Sequence, residues 1–70
     1  MFQEVSVGIY KHFKGNTYEV LGVGTHTERS NERLVVYRDT STSEIWIRPT
    51  DKFLETVDVD GETKPRFEKL

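Results

Sequence analysis

Seventy residues with no Cys have room for one hydrophobic core, which excludes a two-domain enzyme, and they offer no disulfide, no thiolate zinc site and no thiol nucleophile. Hydrophobic residues at 34% and charged residues at 31% are a polar composition, yet four Phe, three Tyr and one Trp supply enough apolar area for a small core. Ten Lys and Arg against twelve Asp and Glu give a net charge of -2, which argues against sequence-independent DNA binding driven by phosphate charge.

The chain is expected to be one all-β domain spanning residues 1–70, since no repeat, low-complexity tract or linker divides it. No apolar run approaches the roughly 20 residues that span a bilayer. The start, Met1-Phe-Gln-Glu4, lacks a basic region followed by an apolar stretch, and the absence of Cys suits a reducing compartment. A cytoplasmic protein without membrane contact is the expectation. Charge is uneven: residues 1–38 hold five basic and four acidic groups, and residues 39–70 hold five basic and eight acidic.

The first expected strand is Val7 to Phe13, where Val7, Ile9, Lys11 and Phe13 alternate with Gly8, Tyr10 and His12. Lys14-Gly15-Asn16-Thr17 follows as a turn. A second strand, Tyr18 to His26, carries Gly22 and Gly24 on one face, a sign of a bend or bulge. After the polar stretch 27–32, Arg33 to Asp39 forms a third strand that buries part of both faces. The polar loop Asp39 to Ser43 leads to a fourth strand, Glu44 to Arg48, with Ile45 and Ile47 on one face and Trp46 and Arg48 on the other. Pro49 ends it, and Thr50 to Leu54 makes one helical turn, capped by Thr50 or Asp51, that turns Phe53 and Leu54 inward to plug the fold. Glu55 to Asp58 and Lys64 to Glu68 then pair around Asp60-Gly61, with Pro65 confining the last segment to an edge. The pattern predicts a small, strongly bent antiparallel barrel or roll of about five strands, SH3-like in shape, with one short helical turn.

Several ordered phrases carry a resemblance: Gly8-Ile-Tyr-Lys-His-Phe-Lys-Gly15, Tyr18-Glu-Val-Leu-Gly22, His26-Thr-Glu28, Leu34-Val-Val-Tyr-Arg38, Trp46-Ile-Arg-Pro49, Phe53-Leu-Glu55, and Gly61 followed by Pro65-Arg-Phe67. Together, over about residues 6–68, the chain resembles the family of small bacterial proteins catalogued as domain of unknown function 1653. The resemblance implies one compact, mostly β domain and assigns no reaction and no catalytic residue. This chain departs from the family's usual pattern at Thr40-Ser-Thr-Ser43, where members often carry a bulkier Leu-Tyr-Gly-type segment, and at Lys52, where Met is common.

Candidate ligand-binding residues are Tyr10, His12, Arg38, Trp46 and Arg48. Tyr10 and His12 alternate onto one face of the first strand, as Trp46 and Arg48 do on the fourth, and Arg38 ends the third. If these faces converge they form an aromatic and basic groove, the chemistry that stacks bases or prolines and clamps phosphates or carboxylates. The competing reading is structural: Trp46 covers the end of the fold and both Arg pair with carboxylates. Arg66 is a weaker candidate, expected to point away from a Phe67 that packs on the core. His12 and His26, with Glu28 nearby, match no metal-ligand spacing, so each His is expected to bond within a turn or at a sheet edge and to titrate near 6.5, and no metal or cofactor is expected.

Hydroxyls lie in polar loops without a nucleophile-elbow context, and no Gly-rich phosphate loop joins a strand to a helix. The acidic residues Glu55, Asp58, Asp60 and Glu62 read as a solvated edge. The favoured reading is a non-catalytic binding or accessory module for a peptide, a nucleotide or a single-stranded nucleic acid. Two alternatives stay open. One is a small-molecule or nucleotide-processing enzyme using His12 or His26 as acid or base; the other is a structural protein whose exposed strand edge forms a homodimer or docks on a larger partner.

Overall fold

The computed structural model describes residues 5–70, so the Met1–Glu4 start lies outside the described residues. Seven strands and one helical turn follow in order: β1 (Gly8–His12), β2 (Thr17–Thr25), β3 (Arg33–Asp39), β4 (Ile45–Pro49), α1 (Thr50–Phe53), β5 (Thr56–Val59), β6 (Glu62–Pro65) and β7 (Phe67–Lys69). Five strands make one antiparallel sheet in the order β4-β3-β2-β1-β7, and β5 and β6 make a separate hairpin. The sheet is a bent roll and not a closed barrel, because β4 and β7 remain as its two edges.

Turn chemistry sets the connections. The β1–β2 hairpin closes with His12 N–H donating to the Asn16 carbonyl and Gly15 N–H to the His12 carbonyl. Gly15 stands at φ 109°, a left-handed conformation that glycine adopts without steric cost. At the tip of β5–β6, Asp60 and Gly61 have φ of 51° and 83°, the paired positive values that a two-residue type I′ turn requires. In the β3–β4 loop the Asp39 carboxylate accepts N–H bonds from Ser41 and Thr42, and Ser43 is held at φ 65°.

The expected bulge lies in β2. Register against β3 shifts between Val20 and Gly22, so Leu21 is the extra residue and the strand bends there. Cross-strand register then defines two faces. Tyr10, His12, Tyr18, Val20, Val23, Val35, Tyr37, Trp46, Arg48 and Phe67 share the inner face, and Ile9, Lys11, Glu19, Leu34, Val36, Arg38, Ile45 and Ile47 share the outer one.

α1 crosses the inner face and inserts Phe53, whose ring stacks on Phe67 at 4.2 Å and meets Tyr10 and Tyr37 edge-on at 5.4 and 5.6 Å. With Val5, Val20 and Val35 these rings form the core. The expected plug is therefore Phe53 alone, since Leu54 is exposed. Neither expected cap forms: Pro49 holds the N-cap position, and the buried Thr50 hydroxyl donates instead to the Arg33 carbonyl at 2.9 Å, tying α1 to β3.

The expected last strand, Lys64 to Glu68, is divided in two. Arg66 N–H donates to the Glu55 carbonyl, whereas the Arg66 carbonyl accepts from Phe13 N–H. At that residue the chain leaves the β5 side and joins β1, so Phe67 faces His12.

Candidate functional site

His12 is the meeting point of the candidate site. Its Nδ1 accepts the Lys14 backbone N–H at 3.2 Å, a bond that fixes the neutral ring with its proton on Nε2. The imidazole packs against Phe13, Phe67 and Tyr18 at 4.5, 4.9 and 6.2 Å between ring centres. Burial lowers its pKa from the ordinary 6.5, and the charges of Arg66, Lys14 and Arg48 lower it further. The expectation of an unperturbed His12 is corrected by burial first, with those three cations adding to it.

Arg48 projects from β4 onto the same inner face. Its Nε donates to the Tyr37 hydroxyl at 3.2 Å, and the guanidinium lies 5.7 Å from the centre of the Phe67 ring. Among the described residues it makes no ion pair. Arg66 does not point away from the core: it is half-buried, and its terminal nitrogen bonds Glu55 at 3.1 Å. That bond, together with Lys52, holds the Glu55 carboxyl below its ordinary 4.5. Three cations thus surround His12, and Glu55 is paired with one of them.

Trp46 is 47% exposed, and Ile45 and Ile47 on the opposite face are 56% and 64% exposed. Neither side of β4 is buried at this point, where the strand forms one edge of the sheet. Trp46 therefore keeps an open aromatic face beside Arg48, which follows it on the same side of the strand.

Two of the five sequence candidates lie elsewhere. Tyr10 shares the inner face but is buried at 7% exposure beneath Phe53, with its hydroxyl donating to the Ser6 carbonyl at 2.9 Å, so it has no surface for a ligand. Arg38 is on the outer face and forms an ion pair with Glu19, its partner across β2 and β3. His12, Trp46 and Arg48 face the same side of the sheet, as do Tyr18, Tyr37 and Phe67, and Arg66 adds its charge near His12. His26 is remote in role: its Nδ1 accepts N–H bonds from Glu28 and Arg29 and closes the β2–β3 turn.

On its other side, His12 lines a cleft of about 360 Å³ between β1 and the β5–β6 hairpin, with Lys11, Lys64, Pro65 and Glu68 among its walls. That volume is at the lower end of small-molecule sites. Two Lys and one Glu give it a positive balance.

A family model described as a protein of unknown function (DUF1653) matches residues 8–69, from the first residue of β1 to the last of β7. The chain belongs to the DUF1653 family. The crystal structure of a DUF1653 protein from Bordetella bronchiseptica is similar over 100% of this chain and 92% of that one, with 30% sequence identity and a TM-score of 0.86. No curated protein matches the chain. Among the described residues, no helix of this DUF1653 protein is long and apolar enough to cross a membrane.

The depressed His12 pKa gives this DUF1653 protein a signed pH dependence. In the unfolded chain His12 takes up a proton near 6.5, whereas the folded site resists it, so the unfolded state binds more protons in that range. The stabilising contribution is present above about 6.5 and is lost as pH falls through the lower folded midpoint. Urea midpoints are expected to drop between about pH 7 and pH 5, and His12→Asn, whose side-chain oxygen can replace Nδ1 as acceptor, is expected to flatten that part of the profile. An unchanged profile in the variant would assign the pH dependence to other groups.

Proposed function

We propose that this protein is a non-catalytic binding module for an anionic aromatic ligand, a nucleotide either free or within a short single strand, held at the inner face by His12, Trp46, Arg48 and Arg66. The observation that supports this reading most directly is the concentration of positive charge at one aromatic surface in a chain whose net charge is -2. Arg66, Lys14 and Arg48 all act on His12, and Arg48 has no carboxylate partner among the described residues.

Each part has a function in that reading. Trp46 offers a stacking face for a base, worth about 1–3 kcal/mol per base in single-strand binders. Arg48, held by Tyr37 through Nε, keeps its terminal amino groups for a phosphate, where a planar fork binds two oxygens at once. The Nε2 proton of neutral His12 is a further donor. A basic patch confined to one face binds a few phosphates and not a long duplex, which agrees with the acidic overall charge. Cytoplasmic residence in a bacterium, where nucleotides are abundant and thiols are reduced, belongs to the same proposal.

Trp46 is the only Trp, so its fluorescence reports on the site without a label. Titration with nucleoside monophosphates, a short oligoribonucleotide and an oligodeoxythymidylate is expected to quench it, with affinity falling as salt rises. Inorganic phosphate alone should bind at the cations without the stacking quench. Quenching by mononucleotides as strong as by oligomers would identify the free nucleotide as the ligand; quenching by oligomers alone would identify the strand. No change in fluorescence or in amide shifts up to millimolar ligand would overturn the reading.

A further inference from the structure

The β4 edge carries a second signal, which does not rest on the ligand reading but draws on the same Trp46 and Arg48. Natural sheet edges are protected from pairing by charged residues, Pro, bulges or very short strands. The β7 edge has three residues including Glu68 and Lys69. β4 has Ile45-Trp46-Ile47 in a row, all exposed, before Arg48 and Pro49.

Backbone direction follows from the ladder. Asp39 N–H donates to the Glu44 carbonyl, so Glu44, Trp46 and Arg48 direct their backbone groups toward β3. By alternation, Ile45 and Ile47 direct both N–H and C=O to the open side.

We infer that the β4 edge pairs antiparallel with β4 of a second copy about a two-fold axis at Trp46, joining two five-stranded sheets into one of ten strands. Among the symmetric registers this one is specified by three features. Ile45 faces Ile47 of the other copy twice, which forms four ladder hydrogen bonds from the groups now directed outward. Trp46 faces its own copy as a non-hydrogen-bonded pair, with Cα atoms about 4.5 Å apart. Glu44 faces Arg48 of the other copy twice, so opposite charges close both ends.

Centring on Ile45 would place Trp46 opposite Glu44 and give no charge pairing. Centring on Ile47 would bring Pro49, which has no N–H, against Ile45. Arg48 keeps its two terminal amino groups for this contact, although it must turn from the Phe67 ring, 5.7 Å from its guanidinium, to reach across the edge.

A single-strand interface is smaller than a standard stable one of about 1,600 Å², so the dimer forms in a micromolar to millimolar range. Sedimentation equilibrium on the intact chain is expected to show a mass rising toward twice the monomer's over that range. Glu44→Arg sets Arg against Arg at both ends and is expected to weaken association at least tenfold, and Arg48→Glu sets Glu against Glu with the same effect. An equimolar mixture of the two variants restores attraction at both ends and should recover dimerisation, a result that misfolding of either variant could not give. Because the chain has no Cys, Trp46→Cys adds an independent test: oxidation should give a disulfide-linked dimer, and Ile45→Cys, which faces position 47, should not. A monomer at all concentrations, a dimer unmoved by both charge reversals, or equal cross-linking at positions 45 and 46 would overturn the proposal.

Discussion

Phe53→Ala is expected to leave the protein largely unfolded at 25 °C. Phe53 is 1% exposed, and among the described residues it is the one ring that touches Tyr10, Tyr37 and Phe67 at once, at 5.4, 5.6 and 4.2 Å. Truncating a buried Phe to Ala costs about 3–5 kcal/mol in transfer and cavity terms. A core of this size supplies roughly 3–5 kcal/mol in total, without a disulfide or metal to add to it. Loss of the ring also releases α1, which at four residues cannot persist without tertiary contacts. Phe53→Leu keeps most of the volume and is expected to cost about 1–2 kcal/mol, leaving a folded protein. Urea denaturation followed by circular dichroism separates the two variants. A Phe53→Ala protein that keeps a cooperative transition within about 1 kcal/mol of the parent would mean that the helical turn is peripheral to the core.

The elements whose signals are local are the ones legible in the sequence. Gly15 and Asp60-Gly61 identify their turns because positive φ restricts residue choice, and the two glycines of β2 announce a bend that the register places between Val20 and Gly22. Strand limits for β1 to β4 follow the period-two pattern closely. Arg38 was separable by the same pattern: it alternates with Tyr37 and shares its face with Leu34 and Val36, so its position away from His12 is written into β3.

What a period of two cannot encode is which strand lies at the edge. Trp46 and Ile47 alternate faces as core residues would, yet both are exposed on a strand that, among the described residues, has no neighbour on one side. Nor does it encode pairing between distant segments. Lys64 to Glu68 reads as one strand, and it is divided at Arg66 only because Phe13 and Glu55 compete for opposite sides of the same residue. The arrival of Phe67 and Arg66 beside His12 depends on that division, so this part of the candidate site had no local signature.

Arg48→Ala is expected to weaken nucleotide binding by ten- to a hundredfold, about 1.4–2.8 kcal/mol, the range for loss of a hydrogen bond to a charged group. Part of that loss is geometric, because the Tyr37 hydroxyl and the Phe67 ring hold the guanidinium in one orientation. Tyr37→Phe, which frees Nε and keeps the ring, is therefore expected to give a smaller loss, and Arg48→Lys one between the two, since an ammonium keeps the charge without the fork.

Charge and position can be told apart through His12. Removing Arg48 removes one of the cations that lower its pKa, so in Arg48→Ala the His12 midpoint should rise toward 6.5. A bound phosphate acts in the same direction, because an anion favours the protonated ring. By linkage, affinity should then increase as pH falls through the His12 midpoint and lose that dependence in His12→Asn. Nuclear magnetic resonance titration of the His12 ring, with and without nucleoside monophosphate, measures both shifts. If Arg48→Ala left the affinity unchanged while the His12 midpoint rose, the cation would be electrostatically present but outside the ligand's reach, and the binding surface would have to be sought in the cleft formed with Lys11 and Lys64.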